Sequence, residues 1–300
     1  MWRKIRLLLI ISGLVVAFNA NAQFDDPKTL EVGPHVGLSY YMGDLNPALP
    51  FAMADLEYGG LVRFNYNNRW TFRCDYAYAT VKADDEKIKW RPERCLNFTS
   101  KIHDLSFVAE FNFWEYYTGN PKRNVSPYIF GGISVFYYTA YATVGDSLVD
   151  LSNHETEKLP TNPKWYEEAF GKKSPVGISI PFGIGVKFAL SRRMAGTLEW
   201  RMQKTFTDYL DDVATVYREV GDHDCIVVNG MYYDLTDPTA TPDGIPVNAQ
   251  GDPTEVPDGI YKGGQQRGNS AFNDWFGMAR VSLTWKFNLP DGRGCNLSKF

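Results

Sequence analysis

The chain has 300 residues, 44% hydrophobic and 22% charged, with a formal net charge of −4. That length supplies one large domain with ample core. The composition excludes a disordered chain, an acidic balance argues against nucleic-acid binding, and four cysteines are too few for a disulfide scaffold.

The N-terminus carries Arg3, Lys4 and Arg6, then an apolar run over residues 7–18, then Ala20-Asn21-Ala22. This is the pattern of a secretory signal peptide. Residues 1–22 are therefore expected to be a leader, with the mature chain starting near Gln23, outside the cytoplasm. No cysteine stands at the cleavage point, so a lipoprotein is not expected. Loss of the three basic residues takes the charge from −4 to −7. No later run of about 20 apolar residues marks a spanning helix.

Eight stretches then alternate with period two, the mark of half-buried strands. The first four lie near 30–43, 56–66, 69–81 and 102–116. Each opposes an apolar face (Val36 and Leu38, Val62 and Phe64, Phe72 and Tyr76, Leu105 and Phe107) to a polar one (Glu31 and His35, Glu57 and Arg63, Arg73 and Asp75, Asp104 and Glu110). The fifth, 126–140, is apolar on both faces, and its orientation stays open. The sixth sets Ile178, Ile180, Phe182 and Ile184 against Ser179, Gly183, Gly185 and Lys187. The seventh sets Leu198, Trp200 and Met202 against Thr197, Glu199, Arg201 and Gln203. The eighth sets Trp275, Val281, Leu283, Trp285 and Phe287 against Arg280, Ser282, Thr284 and Lys286.

The connections alternate strictly in length. Short turns fall at Asn67-Asn68, at 118–122 and around Ser191-Arg192. Long loops cover about 44–55, 82–101, 141–175 and 207–271. Short turns at one end, long loops at the other and an even strand count describe an all-β, eight-stranded antiparallel transmembrane barrel with long extracellular loops, spanning 23–290. Aromatic residues near the strand ends suit interfacial girdles. A small barrel is filled by side chains, so the charges of the polar faces should pair with one another inside. Residues 291–300 are then a periplasmic tail. Loop four is acidic, with 10 Asp and 2 Glu against 2 Arg and 1 Lys, and its Pro and Gly favour irregular structure.

No constellation supports an enzyme. The four histidines form no metal spacing, Asp222-His223-Asp224 reads as a solvated loop, and no nucleophile or phosphate motif occurs. Neither cofactor nor metal is expected. The run Thr207-Asp208-Tyr209-Leu210-Asp211-Asp212 could bind Ca²⁺ through its carboxylates or cap a short helix at Asp208 or Asp211; the cap is the favoured expectation. Cys95 and Cys225 both fall in long outer loops, so a bridge between them is possible, whereas Cys295 would lie across the membrane from Cys225.

Several segments resemble one family. They are 36–46 with Gly43 and Asp44, 127–132, 181–187, the run Thr207, Asp208, Tyr209, Leu210, Asp211, Asp212, and Arg267 to Ser270 followed by Asp274-Trp275. Together they resemble the Bacteroidetes outer-membrane barrel group that includes PorG of the type IX secretion system. The resemblance implies a non-enzymatic outer-membrane barrel that contacts a periplasmic ring of PorK/PorN-like proteins. Periplasmic contacts would then come from Asn67, Asn68, Asn120, Lys122, Arg123 and Arg192, and from Arg293 and Lys299 in the tail, while Gly43, Asp44 and residues 207–212 serve the structure. The alternative is a surface-binding or transport-accessory barrel acting through its long acidic outer loops. Beyond these proteins the expected partner is the lipid bilayer, with no nucleic acid.

Overall fold

The computed structural model describes residues 28–120, 122–158, 174–219, 224–248, 252–253, 257, 259–269 and 272–289. The expected leader, Asp222-His223, Cys295, Arg293 and Lys299 lie outside the described residues.

In chain order the strands are β1 (Thr29–Met42), β2 (Asp55–Asn65), β3 (Trp70–Asp84), β4 (Asn97–Asn112), β5 (Val125–Val144), β6 (Ser147–Asp150), β7 (Val176–Ala189), β8 (Met194–Thr205), β9 (Cys225–Val228), β10 (Met231–Asp234), β11 (Ile245–Pro246) and β12 (Trp275–Asn288). Eight of them (β1 to β5, β7, β8 and β12) each pair antiparallel with two others of the eight, β12 returning to β1, and β5 also pairs with β6. The sheet is thus a closed barrel. Closure satisfies every ladder and leaves no barrel edge, the condition for backbone to survive in lipid. No helix among the described residues is long and apolar enough to cross a membrane; the crossing segments are strands.

The alternation expected from sequence sets the polarity. Ile133, Leu198 and Val281 are 64%, 56% and 55% exposed, while Arg63 and Arg201 are fully buried. Apolar side chains cover the outside and charges fill the inside, the reverse of a water-soluble protein. Outside, Tyr58, Tyr78, His103 and Tyr137 form an aromatic row around β2 to β5, with neighbouring ring centroids 5.3, 4.9 and 6.4 Å apart. Toward the short-turn end lie Trp70 and Phe111, with centroids 5.1 Å apart. His103 and Phe111 are eight residues apart on β4, about 27 Å of strand, which a tilt of roughly 40° reduces to about 21 Å. That is close to the apolar band of an outer-membrane barrel.

The fifth strand, ambiguous in sequence, is settled by its partner. Tyr128, Phe130 and Phe136 point inward, opposite Gly185, Gly183 and Gly177 of β7. A Cβ on any of these glycines would fall 2.4–2.7 Å from the facing ring. The glycines of β7 are therefore the floor on which the aromatic rings of β5 lie.

Inside the barrel, the short-turn half is ionic. Arg73 lies 2.5 Å from Glu199, 2.9 Å from Glu110 and 3.1 Å from Asp75. Arg63 joins Glu31 at 3.2 Å to Glu110 at 3.1 Å, and Lys187 meets Glu110 at 2.6 Å. Arg280 bonds Asp75 and Glu199, both at 2.7 Å, and Arg201 bonds Asp75 at 3.1 Å and Asp104 at 2.9 Å. His35 sits 2.9 Å from Glu57. An unpaired charge at such depth would cost several kcal/mol, so the mutual pairing is what permits the filling. The long-loop half is apolar instead: Ala77, Ala79, Val81, Phe98, Ile102, Phe136, Phe276 and Met278 form one cluster, joined by Leu45, Leu96, Leu210 and Val213 from the loops.

Three expectations need correction. The strand expected to reach residue 116 ends at Asn112. The second short connection is therefore longer, because Tyr116 and Thr118 turn back into the barrel: the Tyr116 N–H donates to the Asn68 carbonyl at 3.1 Å and the Thr118 hydroxyl donates to Glu31 at 2.5 Å. Loop four is not wholly irregular. Its β9, β10 and β11 form a small sheet, with Asn229 and Gly230 at φ 52° and 77° making the β9–β10 turn. Cys95 and Cys225 are both free thiols, as is Cys74.

Inverted polarity gives a direct test. Leu198→Arg places a charge on the lipid face and should destabilise the inserted barrel by about 2–4 kcal/mol. Thr197→Val, one residue away but inside against Ser282, should cost only about 0.5–1.5 kcal/mol for its hydrogen bond. Urea titration in lipid vesicles, followed by heat-dependent gel mobility, measures both; equal losses would count against the assigned faces.

Candidate functional site

The long-loop mouth is closed by an interlocked cap, and the segments singled out in the sequence meet there. Gly43 and Asn46 exchange backbone hydrogen bonds at 3.1 Å, and the Asn46 amide donates to the Tyr41 and Leu49 carbonyls at 2.9 and 2.8 Å. This hairpin is tight enough that a Cβ on Gly43 would sit 2.0 Å from the Tyr41 hydroxyl. The Asp44 carboxylate accepts the Asn269 N–H at 2.5 Å, binding loop one to loop four.

The 207–212 run enters the barrel as a plug. Asp208, Tyr209, Leu210, Asp211 and Asp212 are all buried. The expected helix cap is wrong: no helix starts here, because the run is folded inward by contacts with the barrel. The Asp211 carboxylate instead accepts the Val213 N–H at 2.9 Å, a local turn. The cation alternative also fails on geometry, since the carboxylates diverge. Asp211 faces Tyr41 and Asp212 faces Thr156. Among the described residues no group of three or more His, Cys, Asp or Glu is arranged to hold a metal.

The Tyr41 hydroxyl lies 2.5 Å from Asp211 Oδ2 and 2.6 Å from Asp274 Oδ1. A hydroxyl has one proton to donate. It therefore donates to one carboxylate, and the other carboxyl must itself be protonated and donate back. The second oxygen of Asp274 accepts the Leu210 N–H at 3.0 Å. Burial, and then the charge of Asp274 on Asp211 and of Asp208 on Asp274, push both carboxyls well above the usual carboxylate range.

Two arginines tie the remaining loops together. Arg94 donates to the Arg267 carbonyl at 2.9 Å, to the Asp44 carbonyl at 3.1 Å and to Asp85 at 2.8 Å; burial pushes Asp85 up to about 6. Arg267 donates to the Asp212 carbonyl at 2.6 Å. Glu157 accepts the Ala214 and Thr215 N–H groups, both at 2.9 Å. Tyr41, Arg94, Glu157 and Arg267 were not singled out for these roles from sequence. Tyr41 left a trace there as a tyrosine in phase with the polar face of its strand, and Arg267 as the first residue of a segment that carries the family resemblance; Arg94 and Glu157 left none.

The described residues among those expected to meet a periplasmic partner, 67, 68, 120, 122, 123 and 192, form the opposite end. Asn67 closes its turn by accepting the Arg69 and Trp70 N–H groups at 2.8 and 2.7 Å. The Asn68 carbonyl receives Tyr116, Asn120 accepts the Lys122 N–H at 2.9 Å, and Arg123 pairs with Glu115 at 3.0 Å. A Cβ on Gly119 would lie 2.6 Å from the Arg192 carbonyl, so the second and third turns touch. Lys122 and Arg192 are exposed. The described residues of this group thus share one compact surface.

A closed eight-stranded barrel with a lipid-compatible exterior, an ion-paired interior and a loop cap belongs to the outer-membrane class of β-barrels. The chain is a member of the family described as a domain of unknown function, DUF6089, whose model matches residues 5–160. No curated protein matches it. Among solved structures it is similar to the N-terminal barrel domain of OprF from Pseudomonas aeruginosa, with 10% identity and a TM-score of 0.33, over 86% of this chain and 97% of that one. Neisserial surface protein A is similar at 10% identity and a TM-score of 0.38, over 87% and 97%. Ail of Yersinia pestis is similar at 9% identity and a TM-score of 0.36, over 87% and 99%.

The shared proton gives the cap a pH dependence. Carboxyls raised in the folded state favour folding at low pH, and that contribution is lost as pH rises from the ordinary carboxylate range, about 4, through the raised values. Protease cleavage within loop four should therefore accelerate as pH rises. Asp211→Asn, which keeps a donor without a charge, should flatten that dependence. Unchanged pH sensitivity in the variant would contradict the shared proton.

Proposed function

We propose that this protein is a non-enzymatic membrane anchor that holds a periplasmic protein ring, as in a type IX secretion system, with the short turns facing the periplasm and the long loops outside. The observation that carries this reading is the filling of the barrel. Buried ion pairs occupy one half of the lumen and an apolar plug the other, so the work must be done on a surface. The short-turn end supplies one: its turns are hydrogen-bonded to each other and to Glu31 within the wall. The resemblance to the group that includes PorG supplies the partner class, a PorK/PorN-like ring.

The second reading, a surface-binding barrel, drew on the acidity of loop four. Five of its aspartates, Asp208, Asp211, Asp212, Asp234 and Asp237, are buried. They hold the cap together and are not displayed to a ligand, which favours the anchor.

Crosslinking of intact cells followed by purification of the barrel tests the proposal. A periplasmic lipoprotein should co-purify, and Lys122→Glu with Arg192→Glu should reduce its yield about tenfold, a loss of roughly 1.4 kcal/mol, while the barrel keeps its heat-dependent mobility. A barrel that purifies alone defeats the anchor. Ring capture lost instead on deleting residues 229–265 would favour the outer-loop reading.

A further inference from the structure

A cavity of about 800 Å³ lies at the long-loop rim on the outer side of the barrel wall. Its inner wall is Met42, Met202 and Trp275, contributed by the adjacent strands β1, β8 and β12. All three belong to the outward, lipid-facing set of side chains. Trp90 and Phe272 rise from loops two and four to flank it, 57% and 72% exposed. Arg91 stands at its edge.

The wall of this groove continues into the apolar belt. Trp275 makes an edge contact with Phe182 at 6.1 Å, and Phe182 is itself exposed on the lipid face. Met202 accepts a hydrogen bond from the Tyr40 hydroxyl at 3.1 Å, which in turn receives the Trp200 indole N–H at 2.8 Å. Such a row of amphipathic rings marks the depth where headgroups meet acyl chains. Cations border it: Lys204 lies 5.5 Å from the Trp275 ring centre, and Arg91 lines the groove, paired with the exposed Glu93 at 3.4 Å and within the field of Asp44.

We infer that this groove is a binding site for an anionic lipid of the surrounding bilayer leaflet, with an acyl chain between Trp90, Phe272 and the barrel wall and the phosphate beside Arg91 and Lys204. Continuity with the lipid-facing belt selects the occupant. The barrel side of the cavity, Met42, Met202 and Trp275, gains nothing from water, the polar groups Asp44, Arg94 and Asn273 coming from the loops, and its size is that of an ordinary small-molecule site. The site rests on the barrel's membrane placement and is independent of the ring-anchor reading.

The test uses the full-length barrel in maltoside micelles, titrated with pyrene-labelled phosphatidylglycerol and read by energy transfer from tryptophan. Binding should saturate at one lipid per barrel. Met202→Trp, which fills the groove, should weaken it about tenfold. Arg91→Glu should weaken phosphatidylglycerol more than pyrene-labelled phosphatidylcholine, whose choline offsets the lost cation. If Met202→Trp loses its heat-dependent mobility, Phe272→Ala, an exposed loop change, takes its place and should weaken binding about threefold. Energy transfer that rises without saturation, or that is indifferent to the groove variant used, overturns the site. Tighter binding of pyrene-labelled free fatty acid than of phosphatidylglycerol would overturn the assignment to a bilayer lipid.

Discussion

Everything in this molecule depends on keeping charge inside a thin wall that faces lipid. Arg73, with Glu199, Glu110 and Asp75 at 2.5–3.1 Å, is the centre of that arrangement. Arg63, Arg280, Arg201 and Lys187 reach the same or adjacent carboxylates. No pair stands alone, so the charges hold the eight strands from within as the ladders hold them edge to edge. The cost of this design is specificity: removing one partner strands another charge where neither water nor a substitute can reach it.

The ionic half leaves the other half free to be apolar. Once Arg201 and Gln203 of β8 have met Asp104, the lumen above is lined by Ala, Val, Phe and Met, which can only be covered by side chains from the loops. Leu45, Leu96, Leu210 and Val213 provide them. Apolar burial thus draws the loops into the mouth, and Arg94 and Arg267 then bind one loop's carbonyls to another's. The cap follows from the lumen beneath it.

The barrel was legible in the sequence because its signal is local. Period-two alternation placed Glu57 and Arg63 inward and Tyr58 and Val62 outward, and turn lengths ordered the ends. The fifth strand was illegible because both its faces are apolar; what orients Tyr128 is Gly185 on another strand, a fact about pairing. Chain order could place residues 207–212 at the rim, yet Asp211 turns inward to Tyr41 and Asp212 to Thr156, partners distant in the chain. A run of aspartates looks solvated until something buried is shown to receive it. Asn229-Gly230 is a local hairpin signal, passed over because the Pro and Gly of loop four pointed to irregular structure.

The barrel closes where its chain ends meet, between β1 and β12. The cap crosses that same seam: Tyr41 and Asp44 come from the β1 side, Asn269 and Asp274 from the β12 side. It acts as a latch on that joint. A latch of this kind adds to the stability of the closed form, and whatever part of it is absent from the transition state slows opening more than it speeds closure. The latch therefore lengthens the lifetime of the closed barrel, and the persistence of this protein in its membrane is a matter of rate as much as of depth of the energy well.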